Sequence, residues 1–96
     1  MKPREDILNA LAKQKPELEQ KFRVRRVALF GSYARGDQRP QSDVDILVEV
    51  DPSIGLQCVS LAEAIEQALS VHVDVVSRGA IAQRHWTVIE PELIDV

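Results

Sequence analysis

Ninety-six residues, 45% apolar and 28% charged, are enough for one folded domain with one core, and they exclude a chain too polar to collapse. A formal net charge of −3 excludes a global electrostatic drive towards nucleic acid or an anionic membrane. No apolar run approaches the ~20 residues of a membrane-spanning helix, and the single cysteine, Cys58, excludes an internal disulfide.

The start of the chain has no apolar segment behind its basic residues, so no secretory signal is expected. With a lone cysteine, the expected location is the cytoplasm. Basic residues crowd at Lys21, Arg23, Arg25 and Arg26, a run that reads first as a solvated surface and second as a local anion or partner patch.

The first segment, Pro3 to Lys15, predicts a helix. Pro3 suits a first helical position, Glu5 and Asp6 suit the positive end of the helix dipole, and Ile7, Leu8 and Leu11 form a stripe. Pro16 is expected to end that helix and open a short second turn to Lys21, with Leu18 and Phe22 pointing inward. Val24 to Phe30 predicts a strand that becomes more apolar towards its end. Gly31-Ser32 breaks it, Ser32 to Arg35 predicts a short helix, and Gly36 is placed to stop it. Asp37 to Ser42, with Pro40, is a loop.

Asp43 to Val50 is the clearest strand. Val44, Ile46, Val48 and Val50 form an apolar face, and the opposite face opens with Asp43 and Asp45. Gly55 to Ser70 predicts a helix with Cys58, Leu61, Ala62, Ile65, Ala68 and Leu69 on one side, where Cys58 reads as a small core residue. Val71 to Val76 is a third strand, with Asp74 opposite its valine face. A last helix spans about Ala80 to Ile89 and ends before Pro91, leaving an apolar tail of Leu93, Ile94 and Val96. That tail is expected to seek a partner or a second copy of the chain.

No repeat, low-complexity tract or long linker divides the chain, so residues 1–96 are expected to form one α/β domain, a small mixed sheet of about three strands packed by helices. The link between the first two strands is too short for a comfortable parallel crossover, which predicts at least one antiparallel pair.

Asp43 and Asp45 leave one face of a strand at a Cα spacing of roughly 6.5–7 Å. Two carboxylates held at ~4 Å repel by about 1–4 kcal/mol according to the local dielectric, and a hard dication such as Mg²⁺ or Mn²⁺ relieves that repulsion. Asp74 joins them if its strand pairs alongside. Three carboxylates suit phosphoryl chemistry, in which charge on the attacking and leaving oxygens must be neutralised. Gly31-Ser32, a glycine at a strand end followed by a helix start, presents free backbone N–H groups to phosphate. The Ser32 hydroxyl adds a donor, and Arg35 lies one helical turn further on. His72 and His85 have no zinc-like spacing with Cys58. Trp86 reads as a core or interface residue.

Gly31-Ser32-Tyr33-Ala34-Arg35-Gly36, followed by Ser42-Asp43-Val44-Asp45-Ile46-Leu47-Val48, resembles the signature of the DNA polymerase beta-like nucleotidyltransferase superfamily, and within it the minimal nucleotidyltransferases, antitoxin type. The resemblance implies the polymerase-beta-like fold and transfer of a nucleoside monophosphate, with ATP as substrate and Mg²⁺ or Mn²⁺ as cofactor. It implies Gly31 and Ser32 on the triphosphate, Asp43 and Asp45 on metal, Asp74 as ligand and base, and Arg35 within the same motif. It further implies an antitoxin that adenylylates a tyrosine hydroxyl of a helical HEPN ribonuclease toxin. The alternatives are a small-molecule nucleotidyltransferase of the aminoglycoside-modifying kind and a binding antitoxin without catalysis. Neither direct nucleic-acid binding nor membrane association is expected, and self-association is one option open to the chain.

Overall fold

The computed structural model describes residues 3–54 and 57–96. The first helix, α1 (Arg4–Phe22), runs unbroken through Pro16. The expected stop at Pro16 is therefore wrong. Proline lacks the N–H that would bond the Ala12 carbonyl, a defect of about 3 kcal/mol in a helix interior. Ala12 and Pro16 both lie on the exposed side, where water can reach that carbonyl. Ile7, Leu11, Leu18 and Phe22 share the buried side and hold both halves of the helix against the core. Pro3 stands one place earlier than expected, capping the helix in an extended conformation while its carbonyl accepts from Asp6 and Ile7.

The other elements follow the predicted order up to the last helix, and a fourth strand comes after it. They are β1 (Val24–Phe30), α2 (Gly31–Arg35), β2 (Val44–Val50), α3 (Gln57–Leu69), β3 (Val73–Ser77), α4 (Gln83–Ile89) and β4 (Ile94–Asp95). Gly36 ends α2 in the left-handed region with φ +84°, as expected of a terminating glycine. The expected helix start at Gly55 lies outside the described residues, and Cys58 is exposed on the first turn of α3 rather than in the core.

The sheet has four strands in the order β3-β2-β1-β4. β1 is antiparallel to β2 and to β4, and β2 is parallel to β3 through α3. The mixed sheet was expected; its fourth strand was not. The apolar tail is not left for a partner. Ile94 and Asp95 pair with Leu29 and Ala28, Ile94 and Val96 pack on the core, and the Val96 N–H bonds the Val27 carbonyl at 3.0 Å. Arg26 Nε holds Asp95 Oδ1 at 2.7 Å, which keeps the Asp95 carboxyl below the usual carboxylate range. Lys15 Nζ donates to the Val96 carbonyl.

One sheet face carries Val24, Val27, Leu29, Val44, Ile46 and Val48 into the core under α1 and α3. The opposite face divides in two. Ala28 and Leu47 lie under Trp86 of α4, whose ring also receives the Arg78 guanidinium at 3.9 Å. The remaining end of that face is acidic. The basic run around Arg25 and Arg26 is tied to Asp51, Glu49 and Asp95, in keeping with its reading as a solvated surface.

Candidate active site

Register builds the acidic end. Phe30 of β1 lies opposite Asp45 of β2, and Asp45 lies beside Asp74 of β3. Partners in register point to the same face, and neighbouring strands are roughly 4.8 Å apart, so Asp45 and Asp74 are lateral neighbours. Asp43, two residues before Asp45 at the mouth of β2, adds a third negative charge. The three predicted carboxylates are thus gathered at one sheet edge by a parallel pairing that the sequence alone could not supply.

Asp45 is half-buried, whereas Asp43 and Asp74 are exposed. Burial pushes the Asp45 carboxyl above the usual carboxylate range. The charges of Asp74 and Asp43 add to the rise, Arg35 opposes it, and Glu92 adds slightly more. The site therefore carries uncompensated negative potential on a partly desolvated carboxylate.

Gly31 faces that carboxylate. Its φ is +74°, and a Cβ there would stand 2.9 Å from Asp45 Cγ and 3.1 Å from Asp45 Cβ. Both the left-handed backbone and the contact demand glycine. Ser32 follows in the first turn of α2. Its carbonyl accepts the Gly36 and Asp37 N–H groups, and its hydroxyl makes no hydrogen bond among the described residues. Tyr33 is buried in the core and braces α2 rather than reaching the site. Arg35 lies between two carboxylates: Nε donates to Asp37 Oδ2 at 3.2 Å and Nη1 to Glu92 Oε1 at 3.1 Å.

Glu92 was absent from the sequence reading. It lies in the turn before β4, and its Oε2 accepts the Gly31 N–H at 3.3 Å. Nothing in its local spacing marks it, because its place depends on β4 pairing with β1. His72 is exposed and paired with Glu66, His85 is exposed on α4, and neither belongs to this cluster.

The donor set suits a hard dication. The groups facing the site are carboxylate oxygens, they carry excess negative charge, and one is held partly out of water. As they stand, no three His, Cys, Asp or Glu side chains among the described residues converge closely enough to hold a metal ion. Asp43 and Asp74 are exposed, so their side chains have room to turn towards Asp45.

A strand–Gly-Ser–short helix thus faces paired carboxylates on two parallel strands. The nucleotidyltransferase-domain family matches residues 11–95, and the chain belongs to that family. The protein adenylyltransferase MntA of Thermococcus cleftensis is 40% identical over 79 residues, spanning 80% of this chain and 79% of that protein. A provisionally named protein adenylyltransferase of Methanocaldococcus jannaschii, MJ1379, is 41% identical over 85 residues, spanning 84% of each chain. Among solved structures, a toxin–antitoxin crystal structure with AMP-PNP superposes with a TM-score of 0.67 at 25% identity, covering 96% of this chain and 70% of that one. The chain is a nucleotidyltransferase by family.

Proposed function

We propose that this chain is a protein adenylyltransferase of the antitoxin kind, which transfers AMP from ATP to a tyrosine hydroxyl of a helical HEPN-type toxin. The observation that carries this reading is the lateral pairing of Asp45 with Asp74 in front of Gly31. Its support among relatives is the adenylyltransferase name of the Thermococcus protein and the toxin–antitoxin assembly of the structural neighbour. Residues 1–96 act as one catalytic domain in this reading, and the acceptor comes from the partner.

Gly31 and Ser32 receive the triphosphate through the backbone of α2 and the free Ser32 hydroxyl. Arg35 presents its Nη2 edge, which makes no hydrogen bond among the described residues, to the same phosphates. Asp43, Asp45 and Asp74 would hold Mg²⁺ or Mn²⁺, which supplies neutralisation of phosphate charge. Asp74, exposed at the rim, accepts the proton of the acceptor hydroxyl. The hydroxyl oxygen then forms its bond to the α-phosphorus, the bond from that phosphorus to the bridging oxygen breaks, and pyrophosphate leaves. Positioning and charge neutralisation dominate such an in-line displacement; the sheet end supplies the first, and the cation held by its carboxylates would supply the second.

Intact mass spectrometry tests the proposal. Incubated with Mg²⁺, ATP and a helical HEPN-type protein from the same source, the chain should yield a partner heavier by whole AMP units. An Asp43→Asn chain should yield none. Stable binding of that partner with no mass gain, under either Mg²⁺ or Mn²⁺, would overturn the adenylyltransfer reading.

A further inference from the structure

Glu92 lies outside the recognised motif, yet it touches two of its members. Its carboxylate accepts the Gly31 N–H at 3.3 Å, and both of its oxygens accept from Arg35 Nη1, at 3.1 and 3.3 Å. The placement follows from the pairing of β4. β4 pairs Asp95 with Ala28 and Ile94 with Leu29, and Glu92 closes the turn just before it, beside Gly31. This is the point at which β1 turns into α2. The far end of the same strand is fixed by the Arg26–Asp95 pair, the Val96 to Val27 hydrogen bond and Lys15 on the Val96 carbonyl. The carboxylate is therefore delivered by an anchored segment, and it is the less exposed member of its pair, with 25% of its side-chain surface accessible against 48% for Arg35.

We infer that Glu92 is a positioning residue of the nucleotide site: it fixes the Gly31 turn and, together with Asp37, holds two edges of the Arg35 guanidinium so that the third faces the phosphates. The inference rests on the assignment of Gly31 and Arg35 to the triphosphate. A guanidinium held by two carboxylates loses less rotamer freedom when phosphate arrives than one that is free in water. Glu92 itself carries negative charge and does not touch the nucleotide; it acts through Arg35 and the Gly31 N–H.

The test measures AMP-PNP affinity with Mg²⁺, by calorimetry, in the full chain and in Glu92→Ala, Glu92→Gln, Arg35→Ala and the Glu92→Ala/Arg35→Ala double variant, with thermal unfolding of each. Loss of an outer partner that orients a metal ligand typically costs about 10–100-fold, and Glu92 stands in a similar relation to Arg35. Glu92→Ala should weaken binding about tenfold, at the low end of that range. Glu92→Gln should recover part of the loss, because its amide oxygen still accepts the Gly31 N–H. In the double variant, Glu92→Ala should cost less on top of Arg35→Ala than it costs alone, since the share of its effect that acts through Arg35 is already gone. If Arg35→Ala weakens binding while Glu92→Ala leaves it unchanged or tightens it, Glu92 is not a positioning residue and the Arg35 assignment stands. If neither change affects binding, the Arg35 assignment fails and the inference falls with it. A lowered melting temperature in Glu92→Ala with unaltered affinity would reduce the contact to a structural tie and also overturn the inference.

Discussion

Asp45→Asn is expected to lower AMP transfer by about 10²–10³-fold or more, while the metal-free protein melts at the same temperature or slightly higher. Activity falls because the replaced group is the half-buried centre of the carboxylate cluster, lateral to Asp74 and facing Gly31. Stability does not fall, because that carboxylate is in an unfavourable place in the free protein. Burial first, then Asp74 and Asp43, raise its pKa. A raised carboxyl pKa means that the folded state binds more protons than the unfolded chain between the two values. The Asp45 contribution to stability is thus present below the ordinary carboxylate pKa and is lost as pH rises through the raised folded value.

Melting curves in EDTA across pH test this directly. The difference between Asp45→Asn and the parent should be positive at neutral pH and should shrink below about pH 4, where the parent carboxyl is protonated in both states. Asp95, whose pKa is lowered chiefly by its hydrogen bond from Arg26, contributes in the opposite direction in both proteins and cancels in the difference. Mg²⁺ should raise the melting temperature of the parent at neutral pH and raise that of Asp45→Asn less. A marked fall in melting temperature for Asp45→Asn, with the parent unaffected by Mg²⁺, would contradict the reading of the cluster as a cation site.

Gly31→Ala should be the most damaging single methyl group in the chain. The left-handed backbone costs a non-glycine residue about 1–2 kcal/mol. The new Cβ would also be 2.9 Å from Asp45 Cγ, so β2 or the Asp45 side chain must shift. For a domain of this size each kcal/mol lowers the melting temperature by about 4–8 °C, so a fall on the order of 10 °C is expected, with transfer abolished by the displaced carboxylate. Gly36→Ala is the matched control. Its φ is also positive, at +84°, but a Cβ there meets nothing within 4 Å. It should show only the backbone penalty and retain transfer. Equal loss of transfer in the two variants would show that the contact with Asp45 is not the cause.

The spacing of residues in the chain determined the elements that carry chemistry. The alternation of Val44, Ile46 and Val48 with Asp43 and Asp45 set which side of β2 is buried and which bears carboxylates. Gly31 before Ser32 marked the turn from strand to helix, and Gly36 its end. These are local features, fixed by the two-residue period of a strand and the backbone freedom of glycine, so they could be read directly.

Three other features depended on tertiary contact. α1 continues through Pro16 because Leu18 and Phe22 reach the same core as Ile7 and Leu11, and the exposed Ala12 carbonyl can turn to water. Asp74 became a neighbour of Asp45 only through the parallel pairing of β3 with β2, which α3 enforces by burying Leu61, Ile65 and Leu69. Glu92 reached Gly31 and Arg35 because a two-residue strand at the end of the chain closes the sheet edge. A strand that short carries almost no periodic signal; its pairing, and the residue it delivers to the site, are decided by the open edge of β1 and by Arg26, Lys15 and the core waiting beside it.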